Sequence, residues 1–404
     1  MSEWKEYKLS EVAEITSSKR IFFADYVKSG VPFYRSKEII NKFNKQEIQT
    51  ELFITEEKFE EIKEKFGVPV KDDILLTSVG TLGIPYLVTE KDYFYFKDGN
   101  LTWFRNIDKS KIDVSYFYIW LQSRIGKQKL DEISIGSTQA ALTIAGLKSI
   151  EILLPELNEQ KRIAIALNSI DAKINLLNSQ NKTLEQISET LFRKWFAMEG
   201  ESNKLVFLEE YVECINGVSY KSSELNLSKV GMVSLKSFNR DGGFSIEGFK
   251  EFTGRFKEKQ VVVEGDLIVA HTDITQDADV IGNPALVIDN PNFEIMTISM
   301  DIVKVVPKVD WIGIEFLYFL MRTREFKNHC EGCANGSTVL HLNKQAIPTF
   351  EFLRPEREKV LEFTRQSKEL QKKFFSNHKQ LRNLILLRDT LLPKLMNGEA
   401  TIEN

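Results

Sequence analysis

Four side chains near residue 330 are of the types that hold zinc: His329, Cys330, Cys333 and His341. The two thiols are also three apart, as on one apolar helical face, and free cysteine is commonly a small buried hydrophobe. The second reading is preferred, so no metal site is expected. Only three cysteines occur, Cys214 being the other, which argues for a reducing compartment and against a disulfide scaffold. Signatures of catalysis are missing too. There is no Gly-x-x-x-x-Gly-Lys-Ser/Thr phosphate loop and no strand-linked Gly-x-Gly-x-x-Gly. Asp289-Asn290-Pro291-Asn292 comes nearest to an amino-methyltransferase motif but lacks the second proline and the ring that stacks a flipped base.

Noncovalent chemistry is better represented. Lys19-Arg20, Tyr34-Arg35-Ser36-Lys37, and Ser234-Leu235-Lys236-Ser237 followed by Asn239-Arg240 are cationic and polar clusters. Arginine suits a guanine edge and lysine a phosphate, although exposed strand ends have the same composition. His271, Thr272, Asp273, Thr275 and Gln276 follow the apolar run Leu267-Ile268-Val269-Ala270, as Ser78 and Thr81 follow Ile74-Leu75-Leu76. They read as solvated turns or as binding loops. Gly136-Ser137-Thr138-Gln139 and Gly336-Ser337-Thr338 share their first three residues, which suits either a phosphate contact or a structural turn.

The elements carrying these clusters come in two copies. Residue n resembles residue n+200 without gaps from Tyr118/Tyr318 through Pro155-Glu156/Pro355-Glu356 to Glu199/Glu399. Upstream, Asp73-Ile74-Leu75 aligns with Asp266-Leu267-Ile268 across small gaps. The 404 residues are therefore a tandem duplication. Its parts are an α+β domain at 1–154, a helix at 155–200, a second domain at 201–354 and a second helix at 355–404. Strands are expected at Asp73–Ser78, Gln260–Val263 and, with a turn inside, Ile281–Ile288. Single helices are expected at Ser115–Leu130 and Ile312–Asn328.

After each proline the apolar residues recur by threes and fours: Ile163, Leu167, Ile170, Ile174, Leu177, then Leu184, Leu191 and Trp195 in the first copy. Asn181 and Asn377 fall on the two seams at inequivalent places, and their numbers sum to 558. An antiparallel pairing with that sum sets the amides face to face. It also sets Ile163 against Leu395, Leu167 against Leu391 and Trp195 against Phe363, leaving Ile170/Arg388 and Leu191/Ser367 as poor matches. The expected fold is α+β: two similar domains joined by two long helices in an intramolecular antiparallel coiled coil, with an approximate twofold.

With 54 Lys+Arg against 58 Asp+Glu and a net charge of −4, the chain has no general basic field for a polyanion. Residues 201–350 hold 15 basic against 21 acidic groups. No run of 18 apolar residues occurs and the N-terminus has no signal-peptide pattern, so a cytoplasmic protein without membrane partners is expected.

Leu153-Leu154-Pro155-Glu156-Leu157-Asn158-Glu159-Gln160-Lys161-Arg162-Ile163, followed by Leu191-Phe192-Arg193-Lys194-Trp195-Phe196, resembles the spacer helix of the specificity subunit of Type I restriction-modification systems. Nearly the whole chain takes part. The second copy departs at Glu358-Lys359-Val360, where the first has Asn158-Glu159-Gln160. The resemblance implies a non-catalytic, DNA-binding subunit whose two target-recognition domains each read half of a bipartite, asymmetric site. The helices would set the spacing of the half-sites and dock two methyltransferase (modification) subunits using S-adenosylmethionine, and a restriction subunit using ATP and Mg would complete the nuclease. The chain itself would hold no cofactor. On that basis Lys19, Arg20, Tyr34, Arg35, Lys37, Ser78, Thr81, Ser137, Thr138, Gln139, Lys236, Asn239, Arg240, His271, Thr272, Asp273, Thr275, Gln276, Ser337 and Thr338 are the DNA-binding candidates. The competing readings are a coiled-coil adaptor without DNA specificity and an orphan specificity subunit serving only a methyltransferase.

Overall fold

A computed structural model describes residues 4–136, 140–196, 204–240, 242–275, 278–336 and 339–402. The chain divides into two compact units, 1–174 with 383–404 and 175–382, so each unit owns part of both long helices.

In the first unit, Glu14–Thr16, Leu101–Arg105, Ile74–Thr77 and Pro85–Leu87 form an antiparallel sheet in that order. A second sheet runs Phe53–Ile54, Val31–Tyr34, Tyr95–Phe96, its last pair parallel. The second unit repeats both designs. Val212–Asn216, Ile302–Pro307, Leu267–Ala270 and Pro284–Leu286 make the first sheet. Phe249–Glu251, Val230–Val233, Ile295–Ile298 and Val261–Val262 make the other, again with one parallel pair. The central strands are buried on both faces, which is why Ile74-Leu75-Leu76 and Leu267-Ile268-Val269-Ala270 are continuously apolar.

The aspartate before each central strand has a structural cause. Asp73 Oδ2 accepts from the Val70 amide at 3.0 Å and from Trp103 Nε1 at 2.8 Å. Asp266 Oδ2 accepts from the Val263 amide at 2.8 Å and from Lys304 Nζ at 2.7 Å. One carboxylate thus closes the turn and ties it to the neighbouring strand in both copies.

Where one helix is expected there are two. Val114–Gln122 and Arg124–Glu132 meet at Ser123, and Ile314–Met321 and Arg324–Gly332 flank a break at Arg322 and Thr323. Ser123 Oγ accepts from the Gly126 amide and Thr323 Oγ1 from the Phe326 amide, so these hydroxyls cap the start of a new helix. Between Gly282 and Ile288, only Pro284–Leu286 is strand.

The long helices span Leu157–Phe196 and Arg357–Met396, 40 residues each. No helix among the described residues is long and apolar enough to cross a membrane. Within the first unit the segments run antiparallel: Arg388 Nη1 bonds Asp171 Oδ1 at 3.2 Å, while the Ile402 amide reaches Glu159 Oε1. Ile163, Leu167 and Leu395 are buried in one cluster there. Within the second unit the order is also antiparallel, with Asn377 beside Asn181 and Phe363 among Phe192, Trp195 and Phe196. The weak matches are handled locally. Arg388 turns to Asp171, and Ser367 is buried with its hydroxyl unpartnered among the described residues.

The helix starts explain the Glu-Gln motif. Gln160, 1% exposed, accepts from the Asp113 amide at 2.9 Å and donates to the carbonyls of Lys111 and Pro155, both at 2.9 Å. Its amide therefore fastens the helix to the loop entering Val114–Gln122. Val360 at the second helix start is fully buried in an apolar cluster instead.

Asn377 Nδ2 donates to Asn181 Oδ1 at 2.9 Å, both residues being buried. Replacing Asn377 with Leu strands Asn181 Oδ1, which costs about 1–3 kcal/mol. The urea midpoint of Asn377→Leu should fall, and that of the double Leu variant should recover; an unchanged single variant contradicts this account.

Candidate nucleic-acid interface

In both units the polar loops gather at one end of the central strand through the same pair of backbone hydrogen bonds. The residue after the strand is Ser78 in one copy and His271 in the other. The Ser78 amide donates to the Asn100 carbonyl at 2.8 Å, and its carbonyl accepts from the Leu142 amide at 2.9 Å. The His271 amide donates to the Asp301 carbonyl at 2.8 Å, and its carbonyl accepts from the Leu342 amide at 2.9 Å. These bonds set the loop after the strand beside the segment that leads from the broken helix pair.

Around Asn100 in the first unit, Ser36 Oγ donates to the same carbonyl and Arg20 Nε pairs with Asp98 at 2.9 Å. Lys19 is exposed, its amide donating to the Tyr95 hydroxyl and its ammonium lying 5.0 Å from the Phe66 ring centre. Arg35 is held by Glu38, with Nη2 to Oε1 at 2.8 Å. Burial raises the Glu38 pKa, but the Arg35 bonds outweigh it and keep the carboxyl below its usual range. The guanidinium is thereby oriented with its side chain 35% exposed. Lys37 and Thr81 are exposed, and Lys37 has no ion-pair partner among the described residues.

Two first-unit candidates belong to the interior. Tyr34 is 8% exposed and stacks on Phe94, with ring centres 4.5 Å apart. Ser78 is 2% exposed and its hydroxyl is spent on the Leu76 carbonyl and on Thr102 Oγ1. Their side chains are closed to a base edge.

The second unit gathers Asn239 and Arg240, the loop from His271, and the strands Ala334–Asn335 and Leu340–Leu342, the latter pairing with Thr272–Asp273. Lys236, Asn239 and Arg240 are exposed, and Arg240 Nε lies 3.6 Å from Asp279. Thr272 is buried, its hydroxyl 3.3 Å from His341 Nδ1. Asp273, 1% exposed, accepts at Oδ1 from the amide and hydroxyl of Thr275 and at Oδ2 from the amides of Val280 and Ile281. It shapes the loop and offers no free oxygen to a base. His271 is half-buried; burial and then neighbouring His341 push its pKa down against Asp301, which favours the neutral ring. Ser137, Thr138, Gln139, Gln276, Ser337 and Thr338 lie outside the described residues.

Two of the zinc-type residues are engaged in the fold. Cys330 is fully buried and burial pushes its thiol to about 12, while His329 Nε2 sits 2.7 Å from the Ala346 carbonyl. His341 is on the strand that pairs with Thr272.

Residues overlooked in the sequence include Lys97, exposed at the end of the Tyr95–Phe96 strand and beside Asp98, and the exposed pair Phe22-Phe23. The signal was available: two adjacent phenylalanines directly follow Lys19-Arg20 and Ile21.

Fold and site together define a tandem binding protein: two copies of one α+β domain, each with polar loops gathered at one strand end and each sharing a core with antiparallel helix. Residues 1–186 match the family model for the Type I restriction modification DNA specificity domain. The MjaIX specificity subunit of Methanocaldococcus jannaschii is 24% identical over 99% of this chain and 94% of that protein. The S.HindORF215P specificity subunit of Haemophilus influenzae is 31% identical over 42% of this chain, and the chain spans only 41% of that protein. A solved S subunit of a type I restriction-modification system from M. genitalium has the same fold, with a TM-score of 0.64 at 16% identity over 98% of this chain and 96% of the other. Residues 1–186 are thus similar to a type I DNA specificity domain, and the chain as a whole resembles type I specificity subunits in sequence and shares its fold with a solved one.

Asp273 gives a pH signature. Burial opposes its ionisation, but the bonds from Thr275, Val280 and Ile281 dominate and lower its pKa. A carboxyl with a depressed folded pKa stabilises above the unfolded value, about 3.9, and loses that contribution as pH falls through the folded one. Thermal midpoints of Asp273→Asn should lie below wild type at pH 6 and converge with it toward pH 3; a constant offset would refute this assignment.

Proposed function

We propose that this chain is the DNA sequence-specificity subunit of a cytoplasmic type I restriction-modification complex, each unit reading one half of a bipartite target. The observation that carries the reading is the repeated strand-end geometry, which sets Arg20 and the Arg35–Lys37 segment around Asp98 and Asn100 in one unit and Asn239-Arg240 beside the loop that follows His271 in the other. Exposed Arg, Lys and Asn are the side chains that take guanine, phosphate and adenine. Buried Tyr34, Ser78, Thr272 and Asp273 hold the loops that present them.

Chemistry belongs to partners in this reading. Two modification subunits bring S-adenosylmethionine, and a restriction subunit brings ATP and Mg; this chain contributes specificity and spacing. A net charge of −4 supports shared binding, because phosphate neutralisation supplies most non-specific affinity. The docking face we assign is a stripe on the first long helix. In the second unit's part of that helix, Leu176 and Ile187 are 50 and 43% exposed and lie eleven residues apart, so they share one face by helical spacing.

Mapping methylated adenines in cells expressing the chain with its modification subunit should give a two-part motif with a fixed unread gap. Arg35→Ala should relax one half and Lys236→Ala with Arg240→Ala the other; a single continuous motif, or both halves changing together, rejects the assignment. Leu176→Glu with Ile187→Glu should abolish co-purification of the modification subunit while leaving the circular dichroism spectrum unchanged. Retained co-purification would reject the docking face.

A further inference from the structure

Phe22 is 65% exposed and Phe23 is 90% exposed. Their turn is built to stand away from the surface. Ile21 before it is buried, and Val27 after it bridges to Phe53. Between these anchors Phe23–Asp25 forms a single 3-10 turn, closed by the Phe22 amide donating to Asp25 Oδ2 at 3.1 Å. The Phe23 ring meets Tyr26 edge-on at 6.2 Å, and Tyr26 rests on the fully buried Phe33 at 5.2 Å. A stack of rings rising from the core thus holds an aromatic side chain in water, at a cost that exposed apolar surface does not repay without a partner.

Its surroundings identify the partner. Lys19 and Arg20 precede the turn, and Arg20 ties it to Asp98, next to Lys97 and Asn100, where Ser36 and its neighbours Arg35 and Lys37 converge. An apolar tip flanked by cations matches a polyanion whose interior offers aromatic faces. We propose that Phe22-Phe23 is an apolar wedge that presses Phe23 against a base step of duplex DNA and unstacks it, adding a shape-read position to the half-site read by the first unit. The inference rests on the function proposed above. Side chains of this kind partly unstack and kink a duplex where they enter, and the sequence dependence of that deformation is read as specificity. The second unit has the same acid-closed turn, with the Lys221 amide on Glu224 Oε2 at 2.7 Å, but Lys221 and Ser222 stand in the places of Phe22 and Phe23. The wedge therefore belongs to one half-site only.

The test uses the full chain with its modification subunit on a duplex carrying the motif found by methylation mapping, with permanganate probing thymines and 2-aminopurine substituted at adenines. Wild type should open a base step in one half-site alone. Phe23→Ala, a change at a nearly fully exposed position, should abolish that signal and weaken binding about tenfold, while Phe23→Trp should keep both. Unchanged affinity and unchanged probing in Phe23→Ala overturn the wedge while leaving the functional reading intact. So does loss of modification-subunit association with DNA contacts preserved, which would make the pair a protein contact. Absence of motif-dependent binding by wild type overturns the functional reading, and the wedge with it.

Discussion

A forty-residue helix that carries an apolar seam must have that seam covered, because most helical stability in a protein comes from tertiary packing of the apolar face and not from propensity. The remainder of the molecule follows from how that stripe is covered. Each unit solves the problem with antiparallel helix from the other copy, and the globular cores then grow onto the helices: Ile163, Leu167 and Leu395 belong to the first unit's main cluster, Phe192, Val360 and Phe363 to the second's. The Asn181–Asn377 bond acts on choice of register more than on stability. Asn181 Nδ2 and Asn377 Oδ1 lack partners among the described residues, so the pair is only half satisfied, yet a shift of one heptad would set Asn181 against Leu370 or Leu384.

The second constraint is the end of each central strand. Two backbone hydrogen bonds from one residue hold the loops in place whether that residue is Ser78 or His271. Because the scaffold is made by main chain and by buried groups such as Asp73, Asp266 and Asp273, the exposed side chains around it are free to differ. That division also explains why the first unit carries helices at Ser36–Phe43 and Glu56–Lys65 where the second has the short turns Leu235–Ser237 and Glu258–Gln260.

Much of the architecture was legible in the chain because duplication prints it twice. The offset of 200, the heptads and the two asparagines place the helices and their antiparallel register by arithmetic alone. The break at Ser123 was not legible, because a serine inside Val114–Gln122 and Arg124–Glu132 looks like any polar residue on an apolar helix until its hydroxyl is seen capping Gly126. The candidate interface was legible by segment and not by residue. Runs such as Tyr34-Arg35-Ser36-Lys37 were found, but composition does not say that Tyr34 points inward onto Phe94 while Arg35 points outward from Glu38.

The sequence by itself determined the tandem repeat and the pairing of the helices, since periodicity and internal identity are properties of order along the chain. Only the tertiary structure decided which polar groups are spent on the fold and which remain for a partner. The reason is that hydrogen-bond satisfaction depends on atoms far apart in sequence. Asp273 closes its own loop, Gln160 fastens a helix to residues 111 and 113, and Ser78 joins Thr102, whereas Lys37 and Phe23 are left facing water.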